Sequence, residues 1–479
     1  MAQRACATGA PGYDAPHMEL NRSTLQPSGL ADDKGPAGRE RVPGLLHLFS
    51  AGTALAAAVP LRGEELELGR GHPALGDAQD PRMSRRHARV RFEGRRCWVT
   101  DLGSQNGTWV DGEPAPAGTA REAQRVIRMG DSLFVPSADV GPLAAQGVQV
   151  VDGFVRGPAL QGLLAEVARA AEHGFSLHIH GESGTGKEGV ARAFHQRGPK
   201  QDGPFVAVNC ATIPQGLAER LLFGSKRGAY SGAEDSDGYL QNADGGTLFL
   251  DEVVELDLGV QAKLLRALEV REVVPLGSSK PRKVELLVCS ASNKDLRALV
   301  AGGKLREDLY FRIGRPEVTL PPLRQRPEEL PLLLQRATQQ ISSAPALHVS
   351  FVEACLLRPW PGNVRELLVE ARTAAQAALM QSAPRIEARH LSPSAGTAFG
   401  PASQPQAMSQ AVPEERPAPP QASSRAKPLE TDERVRIEAA LREHGGNVAA
   451  TARALGMHRT QLRRLLDRHA ISAPGDDEG

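Results

Sequence analysis

A glycine-rich loop carries the first residues that could do chemistry. Residues 181–188 read Gly-Glu-Ser-Gly-Thr-Gly-Lys-Glu, between an alternating apolar run at 175–180 and an Ala/Val-rich helical pattern at 190–194. Glycines let backbone N–H groups surround a polyphosphate, the helix N-terminus adds partial positive charge, and Lys187 reaches the outer phosphates. A plain Gly/Ser surface loop is the alternative, which the flanking strand and helix disfavour. The phosphate-contacting set is Gly181, Glu182, Ser183, Gly184, Thr185, Gly186, Lys187 and Glu188.

Two adjacent carboxylates end a second apolar run. Residues 247–252 read Thr-Leu-Phe-Leu-Asp-Glu, the pattern of a buried strand ending in Asp251 and Glu252. Such a strand directs Asp251 towards a magnesium ion and Glu252 towards the water that attacks the terminal phosphate. Glu188 stands where phosphate loops usually place a metal-binding Ser or Thr, so the metal must be held mainly from elsewhere. An ordinary strand edge is the alternative. The two motifs together predict binding and hydrolysis of a nucleoside triphosphate.

Composition sets limits on the remaining function classes. A length of 479 residues predicts about three domains, and a net charge of +1 confines any nucleic-acid contact to a local patch. There is no pattern of a signal peptide or membrane span, so we expect a cytoplasmic protein. The cysteines are odd in number and lack metal-ligand spacing, which favours isolated reduced thiols over disulfides or a zinc site. They are Cys6, Cys97, Cys210, Cys289 and Cys355.

The pattern along the chain predicts a multidomain protein. Short apolar alternations, as at 65–68, 88–92 and 98–100, predict an N-terminal all-β sandwich. Alternating strands and helices then predict an α/β domain with a mostly parallel sheet, followed by an all-helical lid after Pro322. The expected segments are an arm at 1–43, the sandwich at 44–136, a linker at 137–153, the α/β subdomain at 154–324, the lid at 325–394, a flexible linker at 395–430, an all-α module at 431–471 and a tail at 472–479.

The central segment, about 154–391, resembles the AAA+ ATPase domain of bacterial enhancer-binding proteins, the activators of sigma-54 RNA polymerase. The matching stretches are 181–188, 209–210, 228–233, 245–252, 305–309, 320–326 and 360–367. In that family a Glu after the loop lysine is ordinary. The resemblance implies ATP and Mg²⁺ as cofactors, with the metal at Asp251, and a ring-shaped homo-oligomer, a hexamer.

The same resemblance implies roles for five further residues. Asn209, at the end of a predicted strand, corresponds to the polar switch that restrains the catalytic Glu, and Asn293 to the sensor of the terminal phosphate. Arg306 and Arg312 correspond to arginine fingers, which offset the charge on a neighbouring subunit's nucleotide. Arg365 corresponds to the second sensor on the lid. A lone arginine on a helix is usually a solvated surface charge, so these roles depend on the surrounding motifs.

A short loop resembles the part of these activators that contacts sigma-54. The family's loop reads Gly-Ala-Phe-Thr-Gly-Ala, whereas this chain has Tyr230 and Ser231 in place of Phe and Thr. Flanking glycines permit a change in the backbone, and the aromatic ring grips the partner. An ordinary Gly-rich turn is the alternative. The expected sigma-54 contacts are Gly228, Ala229, Tyr230, Ser231, Gly232 and Ala233.

The C-terminal module reads as a helix-turn-helix, with helical patterns at 448–455 and 458–469 joined by a Gly-Met turn. Its second helix combines an apolar stripe at Leu462, Leu465 and Leu466 with a basic face suited to the major groove of DNA. A helical oligomerisation module is the alternative. The segment resembles the Fis-type domain of enhancer-binding proteins, which supports the DNA interpretation. The expected DNA contacts are His458, Arg459, Thr460, Gln461, Arg463 and Arg464.

The N-terminal sandwich resembles a forkhead-associated (FHA) domain at residues 69–70, 84–87 and 101–110. The resemblance implies binding of a phosphothreonine peptide or protein. The alternative is that these Arg and Ser side chains are ordinary surface residues of the sandwich loops without a ligand. His87 is expected to form internal hydrogen bonds that shape the loop rather than to contact the ligand. The expected phosphopeptide contacts are Arg70, Ser84, Arg85 and Asn106.

The sequence thus predicts an ATP-driven activator that binds upstream duplex DNA, remodels sigma-54 RNA polymerase and receives a phosphothreonine input. One alternative is a DNA-bound phosphopeptide adaptor or repressor with weak ATPase activity that does not engage sigma-54, which the substitutions at Tyr230 and Ser231 motivate. A second is a general AAA+ remodeller of other proteins, which the helix-turn-helix opposes. No membrane partner is expected.

Overall fold

The computed structural model describes residues 41–77, 80–214, 216–231 and 234–398, together with 437, 439–445, 447–455, 457, 462 and 466 near the C-terminus. The chain divides into two compact units, 1–402 and 403–479. The first unit holds the sandwich, the α/β domain and the lid.

Antiparallel strands build the N-terminal sandwich, as the alternation of apolar residues predicts. One sheet has the order β2-β1-β10-β9-β6-β7 and the other the order β3-β4-β5-β8. The apolar residues at every second position of each strand meet between the two sheets, where Val90, Val99 and Ile127 are fully buried. The strands are β1 (Gly44–Ser50), β2 (Thr53–Pro60), β3 (Glu65–Leu68), β4 (Ala88–Glu93), β5 (Arg96–Asp101), β6 (Thr108–Val110), β7 (Glu113–Ala115), β8 (Ala120–Ala123), β9 (Ile127–Met129) and β10 (Ser132–Ser137).

Strand β1 is buried along its whole length because its two faces serve two cores. Leu45 joins the core of the sandwich, whereas Leu46, Leu48 and Phe49 join a second core that includes the lid helices. Its register shifts between His47 and Phe49, and such a bulge places neighbouring side chains on one face of a strand. The sandwich is therefore packed against the lid and is not an independent domain on a linker.

The segment 137–153 differs from the linker that the sequence predicts. It contains helix α1 (Gly141–Gln146) and strand β11 (Gln149–Val151), which pairs with strand β12 (Phe154–Arg156). Val140 and Leu143 are buried in the core that the sandwich shares with the lid. Apolar packing at these two positions fixes a segment whose composition alone resembles a connector.

A parallel sheet of order β14-β15-β18-β13-β19 forms the centre of the α/β domain. Its register sets Asn209 beside Asp251, and Asp251 beside Ala291, so the polar residues that end these strands gather at one edge. The strands of this sheet are β13 (Leu177–His180), β14 (Phe205–Asn209), β15 (Thr247–Asp251), β18 (Leu287–Ser292) and β19 (Glu317–Thr319), and a separate antiparallel pair is formed by β16 (Glu272–Val273) and β17 (Arg282–Lys283). The helices are α2 (Pro158–Glu172), α3 (Lys187–Arg197), α4 (Ala218–Phe223), α5 (Tyr239–Asn242), α6 (Leu258–Val270), α7 (Leu296–Ala301) and α8 (Glu307–Ile313).

The lid is mostly helical, with α9 (Leu330–Gln339), α10 (Val349–Leu356) and α11 (Asn363–Met380). The expectation of an all-helical lid was wrong in one detail, since strands β20 (Ala346–Leu347) and β21 (Arg385–Ile386) form a short parallel pair. Two-residue strands leave no periodic pattern in a sequence, which is why this pair escapes prediction.

The second unit has a small apolar core of its own. Helix α12 (Val448–Ala454) coincides with the predicted first helix of the helix-turn-helix. Leu462 and Leu466, predicted as part of the apolar stripe, are buried in this core with Ile437, Leu441 and Ala452. The six predicted DNA contacts His458, Arg459, Thr460, Gln461, Arg463 and Arg464 lie outside the described residues, as does Leu465.

The described cysteines are buried free thiols, namely Cys97, Cys210, Cys289 and Cys355. Burial raises the pKa of Cys97 and of Cys210 to about 12, so both stay protonated and unreactive near neutral pH. Within the described part of the chain, no helix is both long enough and apolar enough to cross a membrane.

Candidate functional site

The glycine loop connects β13 to α3 as the sequence predicts. Gly184 and Gly186 have φ angles of 77° and 104°, a region that side-chain-bearing residues rarely adopt, so the loop curls tightly before Lys187 begins the helix. The Lys187 side chain is only 7% exposed, and its Nζ donates to the Gly181 carbonyl oxygen at 3.0 Å. Glu188 is exposed and accepts a hydrogen bond from Arg192, away from a role as metal ligand.

The two predicted carboxylates lie directly opposite this lysine. Glu252 Oε1 is 3.6 Å from Lys187 Nζ, and the Asn293 backbone N–H donates to Glu252 Oε2 at 3.5 Å. Burial raises the pKa of the Asp251 carboxyl, and the charge of Lys187 opposes that rise. Lys187, Asp251, Glu252 and Asn293 thus form one cluster at the end of the sheet.

The donor set fits a magnesium ion carried by a phosphate ligand. Asp251 Oδ1 is buried and has no hydrogen-bond partner, so it is available as a metal ligand. Among the described residues, groups of three or more His, Cys, Asp or Glu side chains that could hold a metal are absent. Mg²⁺ commonly takes one or two protein carboxylates together with phosphate oxygens and water, so Asp251 suits such an ion.

Asn209 lies at the end of β14, as predicted, beside Asp251 in the register of the sheet. Its Oδ1 accepts a hydrogen bond from the Ala211 backbone N–H at 3.0 Å, which caps the short 3-10 helix Cys210–Thr212. The structure pairs Glu252 with Lys187 and Asn293. The cap uses the amide oxygen of Asn209, whereas a contact with the Glu252 carboxylate would use its Nδ2 donor. Within the described residues the structure shows no hydrogen bond between these two side chains.

The lid contacts the glycine loop through side chains that sequence reasoning partly missed. Arg365, predicted as a sensor, donates from NH1 to Ser183 Oγ at 3.1 Å. Arg324 donates twice to the Glu182 carboxylate, at 2.7 and 2.9 Å, and Asn363 Nδ2 donates to the same carboxylate and to the Ser183 carbonyl oxygen. Arg324 and Asn363 lie in the stretches 320–326 and 360–367, which carry the family resemblance. That resemblance is the sequence signal from which their contacts with the loop could have been predicted.

A buried ionic group supports the loop from behind. Arg326 and Glu329 are each 1% exposed and form an ion pair at 2.9 Å. Arg326 NH2 also donates to the Thr185 carbonyl oxygen at 3.2 Å, and Glu329 Oε1 accepts from the Gly157 N–H at 2.7 Å. The group therefore ties the glycine loop, the start of α2 and the start of the lid together. Sequence reasoning did not single it out.

Of the predicted arginine fingers, Arg306 directly precedes α8 and Arg312 lies in its last turn, away from these loop contacts. Arg306 caps the helix, donates to the Asp308 carboxylate at 2.7 and 3.0 Å and is 41% exposed. Arg312 donates to the Leu268 carbonyl oxygen at 3.2 Å. Phe311, between them, is 66% exposed. Neither arginine is hydrogen-bonded to the glycine loop of its own chain, an arrangement compatible with action on a neighbouring subunit.

The predicted sigma-54 loop projects from between α4 and α5. Tyr230 is 41% exposed, and the Arg220 guanidinium lies 5.9 Å from its ring centroid. Asp235 fixes the base of the loop, because it accepts from the Arg227 N–H at 2.7 Å and pairs with Lys226 at 3.0 Å. Gly232 and Ala233 lie outside the described residues.

Three loops of the sandwich bring the predicted phosphopeptide residues together. The Arg70 N–H donates to the Ser84 carbonyl oxygen at 2.9 Å, the Gln105 N–H donates to Ser84 Oγ at 3.0 Å, and Asn106 Nδ2 donates to the Arg82 carbonyl oxygen at 2.7 Å. Arg85 is exposed beside them. The result is an exposed rim with hydroxyl, amide and guanidinium groups, suited to an anionic peptide.

His87 lies beneath this rim and shapes it, as expected. It is fully buried, its Nδ1 accepts from the Ser84 N–H at 3.1 Å, and its Nε2 is 3.2 Å from the Gly107 carbonyl oxygen. The acceptor role of Nδ1 leaves the proton on Nε2, which donates to Gly107. Burial lowers the pKa of His87 and keeps this ring neutral.

Comparison with known proteins matches all three modules in order. The FHA domain family matches residues 66–130, the Sigma-54 interaction domain matches 154–319, and the Fis family of bacterial regulatory proteins matches 428–469. A crystal structure of NtrX from Brucella abortus in complex with ATP is 29% identical, over 65% of this chain and 68% of that chain, with a TM-score of 0.46.

Two curated relatives illustrate how far the similarity extends. The transcriptional activator RocR of Bacillus subtilis is 35% identical over 321 residues, 66% of this chain and 68% of RocR. The putative uric acid sigma-54-dependent transcriptional regulator UacR of Escherichia coli is 45% identical over 208 residues, 42% of this chain and 35% of UacR. The chain thus spans about a third to two thirds of these relatives. From the ordered domain matches and the extent of the match to RocR, the chain belongs to the sigma-54-dependent transcriptional activators, with an AAA+ ATPase domain at its centre.

Proposed function

We propose that this protein binds an upstream DNA site and uses ATP hydrolysis in a ring of its own copies to remodel sigma-54 RNA polymerase, with phosphothreonine binding as its input. The observation that carries the proposal is the cluster in which Glu252 lies 3.6 Å from the loop lysine Lys187 and beside Asp251. Bound Mg²⁺ would neutralise charge on the phosphates, and Asp251 would hold it. Asp251 and Glu252 are then the two carboxylates that the reaction needs.

The chain's own residues divide the work of hydrolysis. Lys187 and the backbone of the glycine loop bind the phosphates, Glu252 orients and deprotonates the attacking water, and Arg365 closes the lid side of the site. Arg306 and Arg312 serve the nucleotide of the next subunit, which makes the ring, proposed as a hexamer, necessary for full activity. Asn293 is the sensor of the terminal phosphate, and its backbone N–H donates to Glu252 at 3.5 Å, which places it beside the general base.

The surfaces that contact sigma-54, DNA and the phosphothreonine partner lie on separate parts of the chain. The exposed Tyr230 loop is the contact with sigma-54, because an aromatic ring on a glycine-bounded loop can grip a partner and move. The basic residues at 458–464 hold the protein on duplex DNA. The rim formed by Arg70, Ser84, Arg85 and Asn106 takes the phosphothreonine partner.

The test is open-complex formation on a sigma-54 promoter with purified protein, ATP and sigma-54 polymerase. Wild type is expected to open the promoter and Glu252→Gln is not, whereas Glu255→Gln, an exposed neighbour paired with Lys294, should behave as wild type. ATP hydrolysis without opening, even after addition of phosphothreonine peptides, would favour the phosphopeptide adaptor over the activator.

A further inference from the structure

The FHA sandwich and the AAA+ lid share one hydrophobic core. Leu48 and Leu133 of the sandwich belong to the same buried cluster as Leu334 and Phe351 of the lid, and all four are 0% exposed. Contacts between domains of one chain are usually more polar and allow the domains to move independently. Because an apolar core spans this junction, separating the sandwich from the lid would expose apolar surface to water.

A largely buried ion pair crosses the junction. Arg128 Nε, on β9 of the sandwich, is 3.2 Å from Glu353 Oε2, on α10 of the lid, with side chains 17% and 9% exposed. Beside it, Arg125 NH1 donates to the Leu357 carbonyl oxygen at 2.6 Å. A charge pair removed from water tolerates little displacement, because either partner alone would be left buried and unpaired.

The pair is connected to the phosphopeptide rim by a short path. The Arg128 guanidinium stacks over the Trp109 ring, 4.4 Å from its centroid. Trp109 lies in β6, which begins directly after Asn106 and Gly107. Gly107 in turn is bound by His87, which underlies the rim. One three-residue strand, β6, thus connects the rim to Arg128.

The other side of the pair leads to the nucleotide site. The segment 353–363 contacts the sandwich at Glu353 and Leu357 and contacts the glycine loop at its far end. There Asn363 binds Glu182 and the Ser183 carbonyl oxygen. Gly184 approaches so closely that a Cβ on it would lie 2.2 Å from the Gly362 carbonyl oxygen. One short segment thus contacts both the sandwich and the glycine loop.

The junction also contains a cavity. A cavity of about 470 Å³ lies beside the shared core, lined by Arg125 and Val135 of the sandwich and by Arg324 and Trp360 of the lid. Arg324 is the residue that binds Glu182 of the glycine loop. The cavity therefore borders the sandwich, the shared core and a residue that contacts the glycine loop.

We infer that the FHA domain is energetically coupled to the nucleotide site, through the Arg128–Glu353 pair and the segment 353–363. The inference rests on the proposed function, since it takes the rim as a phosphothreonine site and the glycine loop as an ATP site. Coupling of this kind is reciprocal: nucleotide must change peptide affinity by the same factor by which peptide changes nucleotide affinity.

The experiment uses the full chain and a fluorescent phosphothreonine peptide, the tightest binder from a degenerate phosphothreonine library. Its affinity is measured without nucleotide and with saturating Mg²⁺ and a slowly hydrolysed ATP analogue. We expect a change of about fivefold or more, and an equal change in analogue affinity on adding peptide. Arg128→Gln and Glu353→Gln should each bring the ratio towards one while peptide binding persists.

Arg89→Gln is the matched control, because Arg89 pairs with Glu65 and Glu67 on the exposed face of the same sandwich and should leave the ratio unchanged. Thermal unfolding confirms that each variant is folded. A ratio of one in the wild type overturns the coupling while the proposed function stands.

If no library member binds, the phosphothreonine part of the proposed function fails, and hydrogen exchange decides the coupling. Nucleotide should then change amide protection at 108–110 and 127–129 in wild type and not in Arg128→Gln. Unchanged protection in wild type overturns the inference.

Discussion

The Arg326 guanidinium donates to the Glu329 carboxylate across 2.9 Å, with both side chains only 1% exposed. Two residues earlier, Arg324 binds Glu182 with equally good geometry but with the side chains 44% and 42% exposed. The chain therefore contains two arginine–glutamate pairs that differ mainly in burial, and both contact the glycine loop or its support.

These two pairs should differ sharply in their effect on stability. Arg326→Gln is expected to cost about 3–5 kcal/mol of unfolding free energy, because it strands the buried Glu329 charge. Arg324→Gln should cost less than about 1 kcal/mol, because water solvates both partners once they separate. Urea denaturation of the two variants at one pH measures the difference. Equal losses would show that burial does not control these pairs.

Glu328, next to this pair, should make stability depend on pH. Burial raises its pKa from 4.5 to about 7, with Glu329 raising it further and Arg326 opposing. The folded chain then holds a proton that the unfolded chain has lost between pH 4.5 and 7. Stability therefore falls as pH rises through this window, by up to about 3 kcal/mol for this group, and is flat above it.

Glu328→Gln removes that titration and should be more stable than wild type at pH 7.5, with little difference near pH 4.5. The measurement is the difference in unfolding free energy between variant and wild type at several pH values, which cancels the other titrating groups. A difference that stays constant across the window would contradict the raised pKa.

Glu252→Gln should lower the ATP turnover rate by about 10²–10⁴-fold, the usual contribution of a general base. Nucleotide affinity should change little, because Lys187 and the loop backbone bind the phosphates. Turnover and equilibrium binding of a fluorescent ATP analogue are measured on the same preparation. Loss of binding together with turnover would instead make Glu252 a structural support for Lys187.

The fold could be predicted where the physical signal is local. Strand alternation gave the sandwich, and the strand–glycine loop–helix pattern placed Lys187 and Asp251 in one site. The buried Arg326–Glu329 pair could not be found this way, because charged residues two or three positions apart normally read as a solvated surface. The shared core of sandwich and lid also could not be predicted, because burial of both faces of β1 depends on contacts with lid residues such as Leu334 and Phe351, which lie far away in sequence.

Asn209 shows the limit of transferring roles from motifs. The residue type and the strand end were correctly anticipated, yet the amide caps the 3-10 helix that follows it. A sequence match fixes position on the chain but not which of several nearby partners a short amide selects.

Ser84→Ala should weaken binding of a phosphothreonine peptide by about 10-fold or more, since a hydrogen bond to a charged group contributes about 1.5–3 kcal/mol. Arg86→Ala is the control, because its guanidinium is already engaged by Glu67 on the outside of the sandwich. Fluorescence anisotropy with phosphorylated and unphosphorylated forms of one peptide gives the comparison. Equal losses in both variants would argue against a specific phosphate contact at Ser84.

Tyr230→Ala should abolish promoter opening, because the exposed ring is the proposed contact with sigma-54. ATP turnover should stay within about twofold of wild type, because the ring is 41% exposed and packs against Arg220 rather than against Lys187 or Glu252. Tyr230→Phe keeps the ring and restores the apolar side chain found in related activators, so it should open the promoter at least as well as wild type. Turnover, binding to sigma-54 with a transition-state analogue, and open-complex formation are measured on all three proteins. If Tyr230→Ala still opens the promoter, the loop is an ordinary turn and the contact with sigma-54 lies elsewhere on the AAA+ domain.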